Sequence, residues 1–471
     1  GLKSLEMIMN ELILNTKDYF LNDIFTLVVI LFLIFLPIGI IIRSHGISRE
    51  KFSISSIITL SLSLPVIIIS TYLFGWAISF AFTNGPGITG GFSQFYFALP
   101  WNLNMGPNLN LNSDLSFYKV TNLKFITFIF LSWSIVLFLG SSLLERIRIG
   151  AYLILVIVLG SILWPIAYSW SWSNSGWMSR VFGYHDAFGA GAFHTLLGGF
   201  ALGVLYQIKS RLAKFNNFQK PRSFPLNSIA NSILGNFLIF FGFIGLSLSS
   251  ILIFYEINNE TGNYMEVLNV FGTPISLSGS IVNLLLALCG GLFISAITKF
   301  RNPQFMFSGG IIGIISVSSG ADYYFPLQSF IIGMIITFVV LKTHSYLEER
   351  FRIDDITGLI TMHGFAGFWS LIISGILLWG YPSSNYEGSV YINPFGQFAG
   401  ALILFWILGF IPGYLSTKIL KFFSILETTS TIQLTGEDIT FKRDNFLLNQ
   451  ELIEAEIEII SELSRNKNDK N

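Results

Sequence analysis

Charge is scarce in this chain. Only 11% of its 471 residues are Asp, Glu, Lys or Arg, against 52% hydrophobic residues, too little to clothe a soluble globule of this size in water. The 27 basic and 27 acidic side chains balance to a formal net charge of zero, so no global excess points to nucleic acid or to an acidic partner. Cysteine is nearly missing. The single thiol, Cys289, lies inside an apolar run; it excludes an intrachain disulfide and any multi-thiolate metal site and reads as a lipid-facing or packing residue. Histidine numbers five, few enough that the position of each is informative.

Long apolar runs fill the space that charge vacates. They recur from Asp23 to about Lys421 with short interruptions, which favours one continuous helical membrane domain over separate units of about 150 residues. A bilayer core of about 30 Å takes roughly 20 apolar residues per helix. With that ruler the expected fold class is an all-α polytopic membrane protein of about eleven transmembrane helices, near 24–43, 56–83, 122–144, 149–171, 186–208, 227–254, 273–298, 305–320, 325–343, 356–380 and 395–421. The eighth run, around Ser308 to Ser318, is short and glycine-rich, which calls for a tilt or for cover by neighbouring helices. Three regions follow: a polar N-terminal segment 1–22, the membrane domain 23–421, and a tail 422–471. The first apolar run is longer than the apolar part of a cleavable signal and is expected to stay as the first span. In the tail, Asn449 to Arg465 reads as an acidic helix with a seam of Ile453, Ile457 and Ile460. It is expected to pack on the cytoplasmic face, with a short coiled coil or a lead into a partner domain as alternatives.

The loops alternate in charge, a test independent of hydropathy. One set holds Arg43, Arg49 and Lys51, then Arg146 and Arg148, then Lys209, Arg211, Lys214, Lys220 and Arg222, then Lys299 and Arg301, then Lys342, Arg350 and Arg352. The other set has Lys119, Lys124 and Arg180, with Glu256, Glu260, Glu266 and Glu387. The basic set is expected in the cytoplasm, which puts the N-terminus outside and the tail inside.

Ionisable side chains inside spans are costly, and each is a functional hypothesis. His45 and His344 fall in expected cytoplasmic loops and His185 at the outer mouth of span five, whereas His194 and His363 lie well inside spans five and ten. Asp186 precedes His194 by eight residues, as Asp355 precedes His363, about 12 Å of helix. Each segment thus places a carboxylate near a membrane face and an imidazole deep within. The two spans run in opposite directions, the arrangement of an inverted repeat with spans 1–5 and 6–10 as its halves and a site near the midplane. Glycines 189, 191, 198, 358, 364 and 367 let the helices cross closely enough for the imidazoles to share a proton. A lone intramembrane histidine also serves as a plain helix-to-helix hydrogen-bond partner; two in matched, inverted segments favour the site. Metal is not expected, because no third ligand sits at a fitting depth, and Asp186 and Asp355 read first as structural helix-start charges.

The paired segments DAFGAGAFHTLLGG and DDITGLITMHGFAGFW resemble the signatures of the ammonium transporter, methylammonium permease and Rhesus family. Pro37, Gly39, the Gly75-Trp76 pair, Glu145-Arg146 and the stretch SGGIIGIISVSSGAD from Ser308 are similar to the family in the same order. The doubled Asp354-Asp355 resembles its ammonium-transporter branch more than its Rhesus branch, which would be a channel for another small neutral gas. The resemblance implies ammonium or ammonia, and methylammonium, as the cargo, no cofactor, no catalysis, and a homotrimer in a cell membrane. Each subunit would hold a narrow hydrophobic pore with His194 and His363 at its centre.

By the same resemblance Ser250 and a recruiting Trp hold ammonium at the mouth. That Trp is Trp172, with Trp170 as the alternative; a cation–π contact is the physical means, and an interfacial aromatic belt is the plainer reading. The gate would be Phe130 or its neighbour Leu131 on one side and Leu246 on the other, where the family has Phe. A leucine there removes a ring from the stack, and Phe243 is the nearby ring to replace it. The tail departs from the family's glycine-and-acid pattern, which sets tail-borne regulation in doubt. A sensor of the same fold, signalling to a cytoplasmic regulator or a fused signalling domain, is the reading from another functional class.

Overall fold

A computed structural model describes residues 2–80, 95–96, 99, 115–172, 176–215, 221–254, 270, 272, 275–384 and 390–439, with the side chains of 2–23, 80, 115–122 and 251–254 left aside. Among these residues all the regular elements are helices, apart from isolated bridges, and turns and loops join them. Among the described residues nine helices are long and apolar enough to cross a membrane.

In chain order, α1 is Leu2–Ile47, α2 is Glu50–Ser79, α3 is Leu115–Leu143 and α4 is Ile149–Ser171. A widened turn Ala190–Thr195 continues into the helix Leu196–Gln207, together α5. Then come α6 Ile229–Phe254, α7 Leu277–Lys299, α8 Pro303–Val317 and α9 Pro326–Phe351. The membrane domain ends with α10 Ile360–Leu377 and α11 Pro394–Phe422, and α12, Ser430–Thr435, belongs to the tail. α5 and the short α8 lie outside the nine but occupy the expected fifth and eighth runs. α8 is short because it is sheltered: every residue from Ser308 to Val317 is buried, so it need not match the hydrocarbon thickness.

Local chemistry sets the starts. Ser276, Asn302 and Asn393 each accept a hydrogen bond from a backbone N–H three residues on, at 3.1, 3.3 and 2.8 Å, and Pro follows Asn302, Phe325 and Asn393 as the first helical residue. These are the usual means of satisfying orphan donors at an N-terminus.

In hydrocarbon no hydrophobic effect draws helices together, so close backbone packing does that work. α1 and α6 lie antiparallel in such contact: a Cβ on Gly46 would stand 2.4 Å from the Ser232 nitrogen, and one on Gly242 2.4 Å from the Leu36 nitrogen.

Several sequence expectations need correction. Helices α5 and α10 begin about four residues later than expected, because Gly189 and Gly358 take left-handed φ of 87° and 73°, which no continuing α-helix accepts. The 12 Å helical offset between each Asp and its His therefore does not exist; the Asp sits in the turn that precedes the helix. His45 and His344 are not in loops. His45 lies in the last turn of α1, and α9 runs through to Phe351, leaving His344 buried against Phe305 with ring centroids 4.8 Å apart.

Candidate functional site

The site is assembled from two similar lead-ins. In each, a left-handed glycine turns the chain into a widened, π-type turn that carries the histidine: Ala190–Thr195 holds His194 and Ile360–Phe365 holds His363. Such turns insert an extra residue, re-aim side chains and cluster at functional sites. The aspartates satisfy the exposed N–H groups at these starts. Asp186 Oδ2 accepts from Gly191 and Ala192, both at 2.9 Å, and from the Tyr184 hydroxyl at 3.1 Å; Asp355 Oδ2 accepts from Ile360 at 2.8 Å.

The two helices cross antiparallel at Gly198 and Gly364. A Cβ on Gly198 would lie 2.1 Å from the Gly364 Cα, and one on Gly367 would lie 2.2 Å from the Ala190 carbonyl oxygen. This approach brings His194 Nδ1 within 2.9 Å of His363 Nδ1. Gly198→Ala is therefore expected to lower stability by about 1–3 kcal/mol, because its methyl meets backbone that cannot rotate away. Gly150→Ala, which meets nothing within 4 Å, is expected to leave the thermal unfolding midpoint in detergent unchanged or slightly raised.

A hydrogen bond between two Nδ1 atoms needs one donor and one acceptor, so the pair shares a single proton along that contact. The surroundings are apolar rings. Phe138 lies 4.3 Å from the His363 ring, Phe193 and Phe243 lie 5.0 and 5.4 Å from the His194 ring, and they bring no donor atom. His194 Nε2 is buried without a protein partner. It is the polar atom that a small polar molecule between these rings would meet.

Aromatic rings continue from the pair toward Trp172: Phe193 to Trp164 at 5.5 Å and Trp164 to Trp172 at 5.7 Å. Trp172 is fully buried, and its indole N–H donates to the Asp186 carbonyl at 2.8 Å. Trp170 is half-buried against Trp177 at 5.4 Å. The buried Ser250 hydroxyl donates to the Ser247 carbonyl of its own helix at 2.8 Å, and Leu246 is fully buried. Phe130 is half-buried and tilts against Trp133 at 6.4 Å. The ring that joins the buried cluster is instead Phe128, 5.6 Å from Trp76, 6.0 Å from Trp164 and 5.3 Å from Tyr168. Sequence reading passed over Phe128 and Phe138; in a chain with 47 phenylalanines only helix phase separates them from their neighbours.

The opposite rim of the bundle is charged. Arg211 holds Asp354 through two nitrogens at 2.9 Å, Arg146 lies 3.2 Å from the same carboxylate and also donates to the Asp354 carbonyl, and Glu145 pairs with Arg49 at 2.6 Å. Burial alone would raise the Asp354 carboxyl, but the guanidiniums of Arg146 and Arg211 outweigh it and hold the group well below the usual carboxylate range. The tail docks on this rim. Thr428 N–H donates to the Arg146 carbonyl at 2.9 Å, Lys51 Nζ donates to the carbonyls of Gln433 and Leu434, and Asp438 accepts from the N–H groups of Ile54 and Ser55, both at 2.8 Å. The expected acidic helix 449–465 lies outside the described residues.

Comparison with known proteins agrees with this architecture. A model of the Ammonium Transporter Family matches residues 24–445. The chain is 26% identical over 343 residues to ammonium transporter Amt1 of Methanocaldococcus jannaschii, covering 73% of this chain and 76% of that one. Among solved structures it resembles a sensor Amt protein, with a TM-score of 0.72 at 18% identity over 90% of this chain and 99% of the other. It also resembles Mep2 of Candida albicans, with a TM-score of 0.65 at 17% identity over 87% and 86%.

Proposed function

The chain belongs to the ammonium transporter family, and on that premise we propose that it moves ammonium across a membrane by way of a twin-histidine pore. The observation that carries this reading is the 2.9 Å bond between His194 and His363 inside a wall of phenylalanines. An ion crossing such a wall alone would face a barrier of several kcal/mol. Neutral ammonia needs only a hydrogen-bonding partner at the midpoint. Ammonium therefore gives up its proton to water at the mouth, before the bore, and crosses as ammonia, with the imidazole pair bonding it midway. The carrier work is transport, with no bond in the cargo broken except N–H.

In this reading the N-terminus is outside and the tail cytoplasmic, since the docked tail sits on the arginine-rich rim. Antiparallel pairing of α1 with α6 and of α5 with α10 fits two inverted halves. Recruitment falls to Trp172 through its ring face, because its N–H is already bonded to Asp186; with Trp172 closed off from the surface, a cation reaches that face when neighbouring rings move. Ser250 marks the mouth and Phe130 and Leu246 the gate, and Phe243, its ring 5.4 Å from that of His194, lines the bore one turn deeper. Three copies assemble into a homotrimer in the plasma membrane. Asp186 and Asp355 act structurally, as caps of the histidine-bearing turns.

The test is flux: purified protein in proteoliposomes is pulsed with ammonium and with methylammonium, and internal pH and current are followed. Saturable uptake is expected. Binding without flux would instead favour sensing, the reading supported by the sensor Amt structure among the neighbours and by the tail bound over Arg146, through which a cytoplasmic regulator or signalling domain would read the site.

A further inference from the structure

His185 stands one residue before the Asp186 cap, and it is buried where three separate elements meet. Its Nδ1 lies 3.0 Å from the Ser383 carbonyl oxygen, in the segment joining α10 to α11. Its Nε2 lies 3.2 and 3.1 Å from the two carboxylate oxygens of Asp322, in the turn between α8 and α9. A carbonyl and a carboxylate both only accept. A neutral imidazole has one N–H, so it satisfies one of the two and turns a lone pair on the other; an imidazolium satisfies both.

The backbone of His185 is clamped as well. Its carbonyl accepts from Gln397 at 2.7 Å and from Ser319 at 2.9 Å, and its N–H donates to Gln397 at 3.3 Å. The Tyr323 ring packs edge-on against the imidazole at 5.3 Å and the Tyr381 ring against Tyr323 at 5.3 Å. The charged groups facing His185 are Asp322 from the α8–α9 turn and Asp186 from its own segment, whose carboxylate is turned toward Gly191 and Ala192; the titratable tyrosines around it are Tyr184, Tyr323 and Tyr381.

We propose that His185 is held as an imidazolium paired with Asp322, and that this pair is a proton-operated latch fixing the segment that carries Asp186 and the Trp172 anchor at the mouth of α5. That the mouth is extracellular, so that the latch reads external pH, rests on the transport reading above. Burial alone would lower the imidazole's proton affinity, but Asp322, its hydrogen bond and the Ser383 carbonyl outweigh burial, and the net shift is upward. The sign follows. The latch's contribution is complete below the ordinary histidine value of about 6.5 and is lost as pH rises through the raised folded value.

The deciding experiment is ring-15N NMR of histidine-labelled full-length protein in bilayers, titrated through neutral and alkaline pH. The His185 signal is assigned by its loss in His185→Gln, or by elimination with variants at the other four histidines if that variant does not fold. A doubly protonated ring at neutral pH is expected, and Asp322→Asn is expected to lower its midpoint by at least about one pH unit, tenfold in proton affinity. A neutral ring in the wild type overturns the proposal whether or not any variant folds, and so does a midpoint that Asp322→Asn leaves unmoved. This readout is independent of flux, so it fails separately from the transport reading. In the flux assay, wild-type uptake is expected to fall as external pH rises through the His185 midpoint while His185→Gln shows no such step; identical profiles overturn the latch as a device that acts on transport.

Discussion

Replacing both central histidines, His194→Ala with His363→Ala, is expected to lower ammonium flux in proteoliposomes by about 10- to 100-fold. The magnitude comes from leaving ammonia without its hydrogen-bond partner at the midpoint of an apolar bore, about 1–3 kcal/mol, at tenfold per 1.4 kcal/mol. The pair is walled by Phe138, Phe193 and Phe243, and these rings supply no substitute donor or acceptor. The single variants are expected to lose most of the same flux, because each leaves its partner's Nδ1 facing apolar atoms. A double variant as active as wild type would defeat the reading of the pair as the crossing point. Folding is checked by the elution profile and thermal midpoint in detergent.

The largest effect on stability is expected at the charged rim. Asp354→Asn removes the carboxylate shared by Arg146 and Arg211, both buried, and leaves Glu145 to pair with Arg49 and Arg211. Breaking a buried ion pair on one side is destabilising by about 3–5 kcal/mol, since the uncompensated charges stay in a medium that solvates them poorly. The expected result is a lowered thermal midpoint and a tail released from the rim, seen as faster proteolysis after Arg148, whose N–H and guanidinium donate to the Leu426 and Ser424 carbonyls of the tail at 3.0 and 3.1 Å. The wild-type contribution of Asp354 does not vary near neutral pH. Its folded affinity for a proton is depressed, so the stability it provides is complete above the ordinary carboxylate value of about 3.9 and is lost only as pH falls through the lower folded value.

How much of this was legible beforehand differs from residue to residue. The approach of His194 to His363 was readable because three local signals coincide in each segment: an Asp eight residues upstream, flanking glycines, and a span long enough to fix depth. The caps were readable only in kind. That Asp186 and Asp355 serve helix starts was expected, but the left-handed Gly189 and Gly358 and the widened turns behind them were not, so both helices were begun about four residues early. Which phenylalanine of α3 joins the buried aromatic cluster was not legible: it is Phe128, about 200° around the helix from Phe130, and in so phenylalanine-rich a chain the residue type carries no mark of phase. His344 reads as a loop residue because the apolar run ends at 343, yet the helix continues to Phe351, and its long basic side chains extend away from the hydrocarbon.

By itself the sequence determined that the chain lives in a membrane as a bundle of helices, because lipid tolerates no other use of so many apolar runs, and that two histidines lie deep inside. It also marked the side bearing most of the arginines. Tertiary structure decided everything that depends on a partner far along the chain: the contact of two imidazoles 169 residues apart, the docking of the tail on Arg146, and the surroundings of His185. The last is the clearest case. As a residue His185 is an ordinary histidine near a span end, and only folding places Ser383 and Asp322, two acceptors from two other elements, on its two nitrogens, which is what sets its charge.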